Sequence, residues 1–266
     1  MGEEKPTGVI GHRGVASQAP ENTLAGLARA RALGVGWVEV DVRLSADGVP
    51  LLMHDDTVDR TTSGHGAVAA LPMAALAGLD AGGWFDPAFA GEPVPTLAQA
   101  AALAARLGLR MILEIKAVAA APAMGAAWPG GAPVPWVSSF DPEALAAIAR
   151  ACPAWPRALL VEAPPAGASS FSIDSALMTA RTLGCRALHM DDVLCRPEIF
   201  AVLQQEGLSS AVWTVNDPAR AVALWEGGAD AIISDRPADL LAGACNVSDR
   251  SAARTEGQAV PEEQAP

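Results

Sequence analysis

The sequence predicts an α/β fold, a TIM-type (β/α)8 barrel with a small insertion after the third strand. Short β-branched runs alternate with Ala- and Leu-rich stretches of helical period, the pattern of a mainly parallel sheet. The chain's 266 residues suit one closed barrel. Residues able to carry chemistry gather at the C-terminal ends of the candidate strands, where a barrel builds its site.

The strands are expected near 8–12, 36–43, 49–54, 109–115, 134–139, 158–162, 186–190, 209–214 and 230–234. Helices are expected near 22–34, 96–107, 142–151, 172–183, 196–206, 217–227 and 237–243. Nine strands are one more than the ring needs. Asp47-Gly48 between two apolar runs accounts for the surplus, because both positions favour the positive φ of a two-residue hairpin turn. That turn would set Ala46 opposite Val49 and Asp41 opposite His54. Residues 57–95 are rich in Gly and Pro and read as an insertion packed on the barrel. The domain is expected to span 7–243, with 244–266 a disordered tail.

The first strand ends in Gly11-His12-Arg13-Gly14. His moves a proton near neutral pH, and the planar fork of Arg holds two phosphate oxygens. The plainer alternative is a helix-capping loop. In Trp37-Val38-Glu39-Val40-Asp41-Val42 side chains alternate, so Glu39 and Asp41 share one face and three valines the other. If the valines pack on helices, both carboxylates point into the barrel, where like charges need a cation. A polar edge strand is the alternative. Glu114 and Lys116 also share a face, as an internal ion pair or as a third carboxylate beside a phosphate-binding cation. Three carboxylates suit a hard divalent ion, Mg2+ or Ca2+.

His54 follows the apolar run Leu51-Leu52-Met53, and with His12 makes the natural pair for acid–base work. His65 falls in the insertion and reads as a surface or structural residue, while His189 is either site-lining or core. Phe140 and Trp213 end strands and would wall the pocket, or else serve as ordinary barrel packing.

The net charge of −12 disfavours nucleic acid and anionic membranes as partners, and an anionic substrate would need a local positive patch. No run is long and apolar enough for a membrane span, and Met1 to Pro6 lacks a signal-peptide core. Four widely spaced cysteines, Cys152, Cys185, Cys195 and Cys245, read as reduced thiols and so as a cytoplasmic protein.

His12-Arg13-Gly14, Glu21-Asn22-Thr23, Glu39-Val40-Asp41-Val42, His54-Asp55, Glu114-Ile115-Lys116, Ser139-Phe140 and Trp213-Thr214-Val215-Asn216 follow one another in the order seen in the glycerophosphodiester phosphodiesterase family. The stretch from Leu79 to Phe85, with Phe89-Ala90-Gly91-Glu92 and Pro95-Thr96-Leu97, resembles that family's insertion. The resemblance runs from about Val9 to Asp239 and is closest to the bacterial cytosolic type. It implies a metal-dependent hydrolase that releases glycerol 3-phosphate and an alcohol such as choline or ethanolamine. Glu39, Asp41 and Glu114 would bind the metal, His12 and His54 would be the acid–base pair, and Arg13 and Lys116 would hold phosphate. The partner would be a small-molecule glycerophosphodiester, and the chain a monomer or homodimer. One departure is the Pro-rich connection from Ala117 to Trp136, which predicts a short or broken helix where similar proteins carry a longer one. The rival readings are a phospholipase-D-like lyase on the same barrel and a non-catalytic phosphodiester-binding protein.

Overall fold

A computed structural model describes residues 5–165 and 171–242. The tail expected over 244–266, Cys245 and residue 243 lie outside the described residues. In chain order the elements are β1 (Gly8–Gly11), α1 (Leu24–Ala32), β2 (Trp37–Leu44), β3 (Pro50–Leu52), α2 (Met73–Leu76), α3 (Leu97–Leu107), β4 (Arg110–Ile115) and α4 (Ala120–Ala127). They continue with β5 (Trp136–Ser139), α5 (Pro142–Ala151), β6 (Arg157–Val161), α6 (Ile173–Thr182), β7 (Ala187–Asp191), α7 (Pro197–Gln205), β8 (Ser209–Trp213), α8 (Pro218–Glu226) and β9 (Ala231–Ser234). Residues 237–242 add a last helical stretch.

Eight strands close a parallel ring in the order β1-β2-β4-β5-β6-β7-β8-β9, and β9 pairs back to β1. The ninth, β3, pairs antiparallel with the far end of β2 and stays outside the ring. The helices are delimited by local chemistry. Thr96 and Gln99 form a reciprocal capping box at the start of α3, and Gly108 ends it at φ 69°. Asp141 and Asp217 cap α5 and α8 ahead of a first-turn proline.

The alternation read in the second strand is realised. Val38, Val40 and Val42 are buried among Leu27 and Ala30 of α1 and Leu97, Ala100 and Ala104 of α3. Inside the ring, Ile10, Trp37, Ile112, Trp136, Ala158, Ala187, Ala211, Ala231 and Ile233 form a separate apolar cluster. Two indoles stand against four alanines there, large filling the room left by small.

The hairpin forms, but one residue out of the expected register. Val42, Arg43 and Leu44 pair with Leu52, Leu51 and Pro50. The Ser45 amide then donates to Val49 O at 3.1 Å, so the loop has three residues, with Gly48 at φ 78°. Asp41 therefore lies beside Met53, whose amide donates to Asp41 O at 3.1 Å, and not beside His54. The reason lies in the turn's side chains. Ser45 Oγ donates to Asp47 Oδ1 at 2.6 Å and accepts from the Val49 amide, and Asp47 also accepts from the Met73 amide that opens α2. These bonds favour the longer loop over the two-residue turn.

The insertion has its own small core, in which Val58, Val68, Met73, Leu76, Ala81 and Val94 pack on Leu51 and Met53. The Pro-rich connection yields the short helix α4, eight residues long, with Pro122 in the first turn where no intrahelical donor is lost. Among the described residues Cys152, Cys185 and Cys195 are free, and no helix is long and apolar enough to cross a membrane.

Candidate active site

Two residues above the apolar layer, each strand of the ring sends one more side chain inward. These are His12, Glu39, Glu114, Ser138, Leu160, His189, Trp213 and Ile233, and all eight line one cavity of about 270 Å³. Arg13, His54, Lys116, Phe140, Glu162 and Thr214 complete its wall. The period-two rule that fills the barrel thus also builds the site.

The turn after β1 is sterically fixed. A Cβ on Gly11 would lie 1.9 Å from Gly14 O, so only glycine fits. Arg13 sits at φ 51°, an uncommon conformation for a long side chain, and its amide donates to Glu39 Oε2 at 3.3 Å. His12 Nδ1 is 2.6 Å from Asp235 Oδ1, at the end of β9, and His12 Nε2 is 3.9 Å from Glu39 Oε2. Asn216 stands behind Asp235, donating from Nδ2 to Asp235 Oδ2 at 3.0 Å and accepting from its amide. Burial alone would lower the pKa of His12, but the Asp235 bond and the charge of Glu39 outweigh it and the net shift is upward.

His54 is held differently. Its Nδ1 is 2.7 Å from Asp55 Oδ1, Asp55 is bound by Arg60 at 2.7 Å, and Arg60 bridges on to Glu21 at 2.8 Å. Glu21 also pairs with Arg13 at 2.8 Å, which links the two sides of the pocket. Burial and the cations Lys116 and Arg13 lower the pKa of His54 more than Asp41 and Asp55 raise it.

Glu39, Asp41 and Glu114 are buried, and each offers a carboxylate oxygen within 4.8 Å of the others. Asp41 is pinned by Asn22, which donates from Nδ2 at 2.7 Å and accepts from the Asp41 amide at 3.0 Å. Lys116 Nζ bridges Asp41 at 3.1 Å and Glu114 at 2.5 Å. Burial would raise the pKa of Asp41, but Lys116 and Arg13 bring it below the usual carboxylate range. At Glu39 burial and the charge of Asp41 outweigh His12 and Lys116 and push its pKa up to about 8. Its Oε1 is buried without a hydrogen bond. An unpartnered buried oxygen in a three-acid cluster is what a hard divalent cation would satisfy, so these residues fit such an ion.

The sequence-derived residues are thus brought together. Of the nine, His12, Arg13, Glu39, His54, Glu114, Lys116, Phe140 and Trp213 line the cavity, and Asp41 lies within the acid cluster. Lys116 and Arg13 are both engaged with carboxylates as well as facing the pocket. Phe140 and Trp213 meet edge to face, 5.5 Å between centroids. His189 is buried in the cavity wall, while His65 lies exposed on the insertion. Sequence reasoning did not assign roles to Asp235, Asn216, Asp55, Arg60 or Glu162. The Ser234-Asp235 strand end was a usable signal, since it places an acid at the rim beside His12.

The sequence profile described as the Glycerophosphoryl diester phosphodiesterase family matches residues 12–128 and 130–239. A glycerophosphodiester phosphodiesterase of Caldanaerobacter subterraneus is 44% identical over 108 residues, 41% of this chain and 44% of that protein. Human glycerophosphodiester phosphodiesterase 1 is 39% identical over 109 residues, 40% of this chain and 33% of that protein. The matched stretch therefore spans less than half of each of these curated relatives. Among solved structures, an Oleispira antarctica phosphodiesterase in complex with the product sn-glycerol-3-phosphate superposes with a TM-score of 0.80 at 33% identity, covering 89% of this chain and 96% of that one. The glycerophosphodiester phosphodiesterase of Agrobacterium tumefaciens gives 0.75 at 30% identity, covering 89% and 100%.

Proposed function

Because the chain belongs to the glycerophosphoryl diester phosphodiesterase family, we propose that it hydrolyses small glycerophosphodiesters, such as glycerophosphocholine or glycerophosphoethanolamine, to glycerol 3-phosphate and the free alcohol. The observation that carries this reading is the arrangement of His12 and His54 around one cavity, each oriented by its own carboxylate, beside the acid cluster. Glu39, Asp41 and Glu114 would hold Mg2+ or Ca2+, which supplies positive charge against the phosphoryl oxygens. Arg13 and Lys116 add fixed cations facing the same space.

The opposed pKa shifts support a division of labour. His54, held neutral, takes the proton from the nucleophile, either water or the glycerol hydroxyl next to the phosphate. His12, whose pKa is raised, gives its proton to the leaving alcohol as the P–O bond breaks. Asp235 stabilises the charged imidazole and fixes its tautomer, so that Nε2 is the atom that faces the reaction. With the hydroxyl as nucleophile, the same two residues open the resulting cyclic diester with their roles reversed.

The test is release of glycerol 3-phosphate from glycerophosphocholine by purified protein. EDTA should abolish release, and Mg2+ or Ca2+ should restore it. Folded protein that releases none with any metal or head group would overturn the reading.

A further inference from the structure

Six buried side-chain nitrogen or oxygen atoms among the described residues have no hydrogen-bond partner: Arg13 Nε, Glu39 Oε1, Trp128 Nε1, Ser138 Oγ, His189 Nδ1 and Trp213 Nε1. All but Trp128 belong to residues lining the one cavity. Buried polar atoms are nearly always paired, so a cluster of unpaired ones around a cavity marks groups that a ligand completes. The Arg13 and Glu39 atoms belong to the phosphate and metal end. His189 and Trp213 do not, and Ser138, next to Glu114 on the ring, borders that end.

These three stand on β5, β7 and β8, in the layer above the apolar plug of the barrel. Ser138 and His189 are each only 1% exposed. Leu160 and Ala211 lie beside His189 on the ring, and Ser138 stands between Glu114 on one side and Ala158 on the other. An ionic group would be costly to desolvate there, but a neutral hydroxyl, able both to donate and to accept, fits an imidazole, a hydroxyl and an indole N–H. Burial holds His189 neutral, with its pKa lowered to about 4, so it forms hydrogen bonds at neutral pH without exchanging protons.

We propose that His189, with Ser138 and Trp213, forms a hydroxyl-reading subsite that receives the uncharged polyol arm of the substrate and sets selectivity for a glycerol phosphate over a phosphate ester without hydroxyls. It rests on the phosphodiesterase reading for the identity of the polyol. The charged alcohol is left to the opening, where Phe140 and Glu162 are exposed. His189 is a binding and positioning residue and takes no part in proton transfer.

The experiment is calorimetric titration of the full chain, loaded with Mg2+ or Ca2+, using glycerol 3-phosphate and ethyl phosphate. The wild type should bind glycerol 3-phosphate about ten- to hundredfold more tightly, the usual worth of buried hydrogen bonds to a ligand hydroxyl. His189→Leu should erase most of that preference while leaving ethyl phosphate binding unchanged. His189→Gln, which restores a neutral donor and acceptor, should recover part of it. The pH profile of any hydrolysis should keep its shape in both variants. Equal binding of the two ligands by the wild type, an equal loss for both in His189→Leu, no loss for either, or no binding at all would overturn the proposal. Selective binding without hydrolysis of any glycerophosphodiester would instead keep the subsite and remove the phosphodiesterase reading.

Discussion

The two histidines of the pocket stand on two different kinds of structure. His12 ends a strand of the closed ring, its side chain is 19% exposed, and its partner Asp235 comes from the neighbouring ring strand. His54 lies beyond β3, outside the ring, with its side chain 33% exposed and its ring held by a chain of ion pairs through Asp55, Arg60 and Glu21. Backbone closure holds the first, and side chains on an irregular segment hold the second. Their pKa values move in opposite directions. At His12 burial and Arg13 are outweighed by the bond to Asp235 and the charge of Glu39, whereas at His54 burial, Lys116 and Arg13 outweigh Asp41 and Asp55. The proposed acid is thus held by the ring itself, and the proposed base by side chains appended to it.

The largest effects should come from the histidines themselves. His12→Ala and His54→Ala should each lower the turnover of glycerophosphocholine by about 10²–10⁴-fold with the fold retained by circular dichroism. A loss of only a few-fold in either would remove that residue from the chemistry. Asp235→Asn should cost about 10–100-fold, because it removes an orienting partner and leaves the reacting group. It should also move the basic limb of the pH profile to lower pH. Asp235 helps to keep the His12 pKa raised, so without it the acid loses its proton sooner. A shift of the acidic limb instead would exchange the two roles.

On the appended side the effect should be smaller. Arg60 is 46% exposed, and Arg60→Ala should lower activity only about two- to fivefold, in keeping with the modest worth of exposed ion pairs. A loss as large as that of Asp235→Asn would show the insertion to be as rigid as the ring.

The smallest effect concerns stability. The pKa of Glu39 is raised from 4.5 to about 8, so its favourable contribution is complete below the ordinary carboxylate value and is lost as pH rises toward the folded value. His54 and His189, whose pKa values are lowered, reach their full contribution above the ordinary histidine value. His12, whose pKa is raised against burial chiefly by Asp235, also loses its contribution as pH rises, and Glu39→Gln removes the part of the fall that belongs to Glu39. Metal-free Glu39→Gln should melt about 2–5 °C above the metal-free wild type at about pH 8.5, with a smaller gap at about pH 7. Added Mg2+ should raise the melting temperature of the wild type and not of the variant. A gap that does not change with pH would refute the charge argument.

The ring and its acid cluster were legible because strand alternation is short-range. Val38-Glu39-Val40-Asp41 declares its two faces within four residues, and the same pattern places Glu114. What stayed hidden depends on contacts between parts far apart in sequence. Asp235 is 223 positions from His12, and the strand end at Ser234-Asp235 places an acid at the rim without saying which residue it meets. The His54 side was hidden for another reason. Asp55 and Arg60 lie on a segment without a regular period, so no rule says where their side chains point. The hairpin itself was readable from Asp47-Gly48, but its register turned on Ser45 and Asp47 bonding their own loop, a detail that the dipeptide signal does not carry.

The ring closes without β3, and this bears on how such a chain can change over generations. Hydrogen bonding runs from β1 through β9 and back without the hairpin, and the insertion brings its own small core. Lengthening, trimming or replacing that segment leaves the seam of the barrel intact. One half of the proposed catalytic pair is therefore carried on a segment outside the closed frame, where new chemistry could be tried without opening the ring.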